Sequence, residues 1–309
     1  MMILVLTICL VFAYNATAYA KEKGFKPGFS LKVSYGTGYY YWGDLNKHLE
    51  SYNNSSVFKL TREHFPELIT GEIRALKNFS PDWEVELRAD IGRSFAVSLA
   101  TSSSVHQKNE NSITCKERSY MGERETFAYL KPQAEVSMPI RLGINYTLPF
   151  IPRLNIIFNL GIGYYSARIS EYRYEKVTTF YPGFAYESIY WETRYWETEP
   201  KGAIGVHSGI GVEFSPHKNF AFVVEIQGRY LKINNLKGTI QTENETALKT
   251  AKGTLYYYGY STAQIWFWGK NYKDLTIWQE PTYGSGDIRK AVLDLSGFSL
   301  RAGIRIRLF

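Results

Sequence analysis

The sequence predicts an all-β protein: an eight-stranded antiparallel up-and-down transmembrane β-barrel with short turns at one end and long loops at the other. Three observations carry this. Apolar and polar residues alternate with period two in eight separate runs, the pattern of strands with two unlike faces. The links between runs alternate between short and long. The face opposite the apolar one carries glycine and charges of both signs.

The chain opens with "MILVLTICLVFAY", a short apolar core, followed by the small residues around Ala18-Tyr19-Ala20. This reads as an export signal, residues 1–20, cut before Lys21, although no Lys or Arg precedes the apolar core. Residues 21–309 form the barrel domain. Removing the signal takes Cys9 with it and leaves Cys115 alone, so no internal disulfide is expected.

The eight runs follow in order. Phe29, Leu31, Val33 and Tyr35 mark the first, Trp83, Val85, Leu87, Ala89 and Ile91 the second, and Phe95, Val97 and Leu99 the third. Val136, Met138, Ile140, Leu142, Ile144 and Tyr146 mark the fourth, and Leu154, Ile156, Phe158, Leu160, Ile162 and Tyr164 the fifth. Ile204, Val206, Ile210, Val212 and Phe214 mark the sixth; Phe220, Phe222, Val224, Ile226 and Tyr230 the seventh. Phe298, Leu300, Ala302, Ile304, Ile306 and Leu308 close the set. "GRS", "PFIPR" and "SPHKN" join runs two to three, four to five and six to seven, with the Gly, Pro, Ser and Asn of tight turns. The remaining links, 43–81, 104–132, 171–201 and 234–294, are long. All short turns at one end and all long loops at the other is the plan of a membrane barrel.

The polar face decides which side looks inward. It carries Ser30, Ser34, Gly36, Gly38, Ala96, Ser98, Ala100, Gly143, Gly161, Gly163, Gly205, Gly209, Gly211 and Gly303. Glycine weakens a strand facing water but suits a crowded interior. The same face holds Lys32, Arg88, Arg141, Arg229, Arg301, Arg305 and Arg307 against Glu84, Glu86, Asp90, Glu135, Glu213 and Glu225, with His207 among them. Near-balance of sign predicts a closed ionic network in the lumen, because an unpaired buried charge costs about 3–5 kcal/mol. Aromatic residues near the run ends, such as Tyr35, Tyr39, Tyr41, Trp42, Tyr146, Phe150, Tyr164, Phe214, Phe220 and Tyr230, fit interfacial girdles.

Bulk properties exclude other classes. The formal charge of +7 is spread without any Lys/Arg run, which argues against a nucleic-acid partner. After the first twenty residues no segment reaches the ~18 consecutive apolar residues of a transmembrane helix. The five histidines, His48, His64, His106, His207 and His217, lack metal-ligand spacing, and no cofactor or metal is expected. His207 is expected to join the polar network.

The hairpins "IRLGINYTLPFIPRLNIIFNLGIGYY" and "GIGVEFSPHKNFAFVVEIQGRY" and the closing "GFSLRAGIRIRLF" resemble the small outer-membrane β-barrel proteins of Gram-negative bacteria, of the OmpA transmembrane-domain, OmpW-like and opacity types. The resemblance implies residence in the outer membrane, periplasmic turns and extracellular loops. It also implies contact with outer-membrane lipid and lipopolysaccharide, and insertion by the assembly machinery that reads a terminal aromatic residue, here Phe309. One departure stands out: Phe309 shares the parity of Arg305 and Arg307, while Leu308 continues the apolar row. The family has no shared catalytic motif.

The long loops are the functional candidates, because binding chemistry gathers on loops held by a rigid scaffold. "FYPGFAYESIYWETRYWETEP" and "TLYYYGYSTAQIWFWGKNY" single out Tyr190, Trp191, Tyr195, Trp196, Tyr256, Tyr257, Trp266 and Trp268 as recognition candidates, the second segment turning at Tyr258–Ser261. The alternative is that these rings pack the loops together. Phe65, Leu68, Ile69, Ile73 and Leu76 lie at helical spacing after "HFP", predicting a short amphipathic helix in the first long loop. Ser103 and Ser104 near His106 are the one candidate pair for lipid A hydrolysis, without an identifiable acid partner. The expected protein is a monomer with a plugged lumen and a structural or surface-binding role. A narrow channel or lateral passage for small apolar molecules is the alternative, and a lipid-modifying enzyme a third.

Overall fold

The computed structural model describes residues 28–54, 56–119, 122–181, 186–259, 273–280 and 288–308. The proposed signal, Trp266, Trp268 and Phe309 lie outside these residues. In chain order the first strands are β1 (Phe29–Tyr39), β2 (Ile69–Glu72), β3 (Phe79–Asp90), β4 (Phe95–Ser102), β5 (Val105–Lys108), β6 (Asn111–Ser119) and β7 (Gly122–Val136). Next come β8 (Ile140–Ile151), β9 (Leu154–Tyr181), β10 (Tyr186–Thr198), β11 (Lys201–His217), β12 (Phe220–Tyr230) and β13 (Lys232–Asn234). The last are β14 (Lys237–Asn244), β15 (Leu248–Gly259), β16 (Lys273–Trp278), β17 (Ile288–Lys290), β18 (Val292–Asp294) and β19 (Gly297–Arg307).

Antiparallel pairings close a circuit. From β1 they run through β3, β4, β8, β9, β11, β12 and β19, and back to β1. The closing ladder matches Ser30 with Arg307 at one end and Gly38 with Ser299 at the other. Closure satisfies every strand edge, which an environment without water requires. Each alternating run lies on one strand of the circuit. The exceptions are Ile91 and Leu308, one residue past the ends of β3 and β19, Met138, between β7 and β8, and Val136, which ends β7.

The faces sort by chemistry. Val33, Tyr35, Leu87, Leu142, Ile144, Leu160, Ile162, Val206, Val212, Val224, Leu300 and Ile304 are exposed on the outside of the circuit. Their chain neighbours Lys32, Glu84, Glu86, Arg141, Glu213, Glu225, Arg301 and Arg305 are buried inside. Glycine makes room for them. A Cβ on Gly161 would collide with the Leu142 carbonyl and lie 2.7 Å from His207 Nε2.

Toward the loop end the strands outrun what a membrane needs. A membrane strand takes ~9–11 residues, yet β9 has 28. Its upper half pairs with β7 and β10. From there the wall continues through β6, β5 and β2 on one side and β14, β15, β16 and β17 on the other. Much of what the sequence left as long loops is therefore strand. Here the pattern inverts: Val105, Ile113, Leu130, Ile169, Trp196, Leu255, Leu275 and Ile277 face inward and form one apolar core.

The helix Asp44–Asn54 fills this chamber. Leu45, Leu49 and Tyr52, spaced i, i+4, i+7 on one face, are at most 1% exposed. Its polar side is tied to the chain that follows: Asn46 Nδ2 donates to Leu76 O, and Leu76 N to Asn46 Oδ1, at 3.2 and 2.9 Å. A second helix, Ser56–His64, follows. The helix expected from Phe65 to Leu76 is not formed. A 3-10 turn spans Pro66–Leu68, and Ile69–Glu72 is β2, paired with β6. Gly71 sits at φ +85°, outside the helical region, and Ile69 and Thr70 are β-branched, which favours a strand. Ile73 and Leu76 still reach the core, but from chain outside any helix or strand.

Candidate functional site

Two layers of buried charge sit one above the other. In the lumen, Lys32 on β1 reaches Glu84, Glu86 and Glu225 at 2.8, 3.3 and 2.7 Å. Arg301 on β19 reaches Glu84, Asp82 and Glu225 at 2.7, 3.3 and 3.0 Å, and donates to Gln227 at 2.8 Å. Arg141 on β8 binds Glu84 and Gln227. Arg305 binds Glu213 and, at 3.0 Å, Glu86. Strands from all sides of the circuit thus meet on shared carboxylates, and the cross-links fill the space between the walls. Neighbouring small residues create that space: Gly36 lies in register with both Asp82 and Arg301.

The other network candidates separate. Arg88 pairs with Asp90 at 3.1 Å near the turn end and also donates to Thr147. Arg307 meets Glu213 at 2.9 Å with its side chain 43% exposed. Arg229 lies at the junction of lumen and chamber. It donates to the carbonyls of Leu295 and Tyr39 at 2.8 and 3.3 Å and stacks 4.2 Å over Tyr40. Glu135 is not in the lumen at all: it lies on β7 and pairs with Arg168 on the outer face. The sequence grouped it with the lumen acids because Val136 was read into the fourth run. His207 is buried beside Gly143 and Gly161, and its Nδ1 has no partner among the described residues.

The second layer was not expected. Arg173 on β9 holds Asp274 through two nitrogens, at 2.5 and 3.1 Å, and Glu171 at 3.0 Å. Arg194 and Tyr258 bind the same Asp274 carboxylate at 3.1 and 2.9 Å. His48 on the chamber helix joins with Nε2 3.0 Å from Glu171 and Nδ1 3.0 Å from the Lys273 carbonyl. Tyr52 donates to Glu175 at 3.0 Å. Burial would raise the Asp274 carboxyl, but Arg173, Arg194 and His48 outweigh it and hold it well below the usual carboxylate range. Burial is likewise outweighed at Glu171 by His48 and Arg173, whereas at Glu175 burial wins and the carboxyl is raised. At the helix start Asp44 takes a two-pronged contact from Arg289, at 2.5 and 2.6 Å. The sequence hid this cluster because its members come from five elements: the chamber helix, β9, β10, β15 and β16.

The aromatic candidates do not form one site. Trp196 is completely buried and Tyr257 nearly so, both in the chamber core; Tyr256 lies 6.0 Å from Trp278. Tyr190 and Tyr195 are exposed and donate to Glu192 and Glu197 at 3.2 and 2.9 Å. Burial and the adjacent Glu192 push the Tyr190 hydroxyl up to about 12. Trp191 is half-buried on the same strand. Tyr195 also lines an open concavity of about 360 Å³ with Arg168, Glu197, Glu199, Thr239 and Gln241. Ser103 is buried, its hydroxyl 3.3 Å from Asp82, while Ser104 and His106 are exposed. Among the described residues no hydrogen bond joins Ser103 to His106, and Ser103 turns instead to Asp82 and the Pro81 carbonyl.

Residues 6–253 match the family model for the outer membrane protein beta-barrel domain, and the chain belongs to that family. No curated protein matches the sequence. Among solved structures, it is similar to Ail, the attachment invasion locus protein of Yersinia pestis, at 11% identity over 91% of this chain and 97% of that one, with a TM-score of 0.28. It is also similar to the outer membrane protease OmpT from Escherichia coli, at 9% identity over 91% and 96%, with a TM-score of 0.27.

Proposed function

We propose that this outer-membrane β-barrel protein crosses the bilayer on the eight strands of its circuit, with periplasmic turns and extracellular loops. Its lumen is closed by its own charges, and its role is structural or surface-binding, without catalysis. The observation that carries this is the pair of stacked closures. Lys32 and Arg301 bridge the lumen walls, and the helix Asp44–Asn54 fills the chamber above. A water path would need both to open, at the cost of unpaired buried charge in one and lost apolar packing in the other.

The wall built from β7, β9 and β10 supports the binding role. It holds Trp191 and Tyr195 on a paired sheet over an apolar core, so the rings are pre-ordered, and ordered aromatics bind at a lower entropic cost. Two measurements test the proposal. Planar bilayers containing the folded protein are expected to show no reproducible conductance steps; stable steps would contradict the closed lumen. Cells displaying the chain are expected to adhere to a host-cell surface more than cells lacking it, and to lose that gain with Trp191→Ala and Tyr195→Ala. Unchanged adhesion would leave the structural role alone.

A further inference from the structure

The turn end carries a basic collar. At this end the circuit has three hairpin turns and the seam between its first and last strands, and each presents a cation: Arg93 between β3 and β4, Arg153 between β8 and β9, Lys218 between β11 and β12, and Arg307 where β19 pairs with β1. Arg93, Arg153 and Lys218 are exposed, and among the described residues none of the three makes an ion pair. The nearby acids are already engaged: Asp90 with Arg88, and the buried Glu213 with Arg305 and Arg307. The exposed charge of this end is therefore positive.

Depth fixes what the collar meets. Each cation follows the apolar belt by a few residues. Ile91 precedes Arg93, Phe150 and Ile151 precede Arg153, and Phe214 precedes Lys218, all with exposed apolar side chains. That is headgroup level, where Lys and Arg reach from the hydrocarbon edge toward phosphate. One position carries a second indication. Arg153 holds φ at 71°, a left-handed conformation that glycine or asparagine adopts at lower cost. An arginine stands where the backbone favours other residues.

We propose that the collar binds the phosphates of anionic phospholipid headgroups in the leaflet at the turn end, and so sets the depth of the barrel. This rests on the membrane reading above. The test uses the full chain reconstituted in vesicles, with spin-labelled phosphatidylglycerol and phosphatidylethanolamine of equal acyl chains as probes. One cation near the surface contributes a factor of about five in affinity at low ionic strength, so a preference of that order for phosphatidylglycerol is expected. It is expected to vanish in the triple variant Arg93→Gln, Arg153→Gln, Lys218→Gln and to survive in Arg153→Lys. Replacing the loop-end cations, Lys249→Gln and Lys252→Gln, is expected to leave it unchanged.

Equal retention of the two lipids by the unaltered chain overturns the proposal, as does an unchanged preference in the triple variant. Loss of the preference on adding millimolar inorganic phosphate at constant ionic strength would assign the cations to a soluble phosphate and overturn the lipid assignment. The heat-modifiable gel band reports folding separately. Its absence from the unaltered chain would count against the membrane reading itself.

Discussion

Tyr164 and Tyr165 are neighbours on β9 and face opposite environments: Tyr164 is 48% exposed on the outer belt, and Tyr165 is 3% exposed inside. Below them Phe158, Leu160 and Ile162 point out, with Ile157 alone among the buried apolar residues there; above them Ala167 and Ile169 point in. The strand does not bulge to achieve this, since its ladder with β11 runs in unbroken register from Leu154 to Ala167. The chemistry of the two faces changes places while the backbone continues. This is the mark of a strand that leaves a medium without water and enters one with it.

A charge on the outer belt tests the lower half. Val224 is exposed midway along β12. Val224→Arg is expected to cost about 2–4 kcal/mol of folding stability in a bilayer, measured by denaturant titration in vesicles. A change near zero would place that face in water.

Removing a lumen cation tests the network. Arg301→Ala leaves Glu84, Asp82 and Glu225 without their shared partner. A loss of about 3–5 kcal/mol is expected, the cost of uncompensated buried charge. Arg93→Ala, at an exposed turn, serves as the comparison and is expected to change stability little.

The chamber helix separates loop-end stability from that of the circuit. Leu49 is fully buried against the chamber wall. Leu49→Ala is expected to destabilise the loop end by about 2–5 kcal/mol, seen as faster proteolysis there while the heat-modifiable band persists. Loss of that band would show that the circuit cannot form without the filled chamber.

Acid acts on the second charge layer with a definite sign. Asp274 and Glu171 titrate below their unfolded values, so their stabilisation is complete above the ordinary carboxylate range. It is lost as pH falls through their lowered values. Glu175, raised by burial, acts oppositely: its contribution is present at low pH and lost as pH rises through its raised value. Fluorescence from the buried Trp196 is expected to hold from pH 7 down to about 4 and to change only below that. Asp274→Asn is expected to weaken the chamber at neutral pH and flatten the acid response. A transition in the unaltered chain near pH 6 would contradict this assignment.

The circuit was legible because one face of each strand meets lipid and the other meets charge, so period two is strong from Leu154 to Tyr164 and from Phe298 to Leu308. The wall above was not. On β7 and β9 the outward positions carry Phe127, Tyr129, Tyr172 and Tyr174, while the inward ones mix Ala128 and Leu130 with Glu171 and Arg173, so neither face reads as plainly apolar or polar. Val136 misled for a related reason: it shares the parity of Ile140 but faces inward, because the chain crosses the boundary between them. The chamber helix left a usable trace in Leu45, Leu49 and Tyr52, outweighed by the apolar spacing of Phe65 to Leu76. The second charge layer left none, since His48, Glu171, Arg194 and Asp274 meet only in three dimensions.

The most direct measurement is a labelling profile along the outward face of β9. In vesicles, with Cys115→Ser as background, Leu160→Cys, Ile162→Cys, Arg168→Cys and Ser170→Cys are treated in turn with a charged, membrane-impermeant maleimide. Positions 160 and 162 are expected to resist, shielded by lipid, and 168 and 170 to react, with the step falling beside Tyr164. Equal reactivity at all four positions would contradict the inversion.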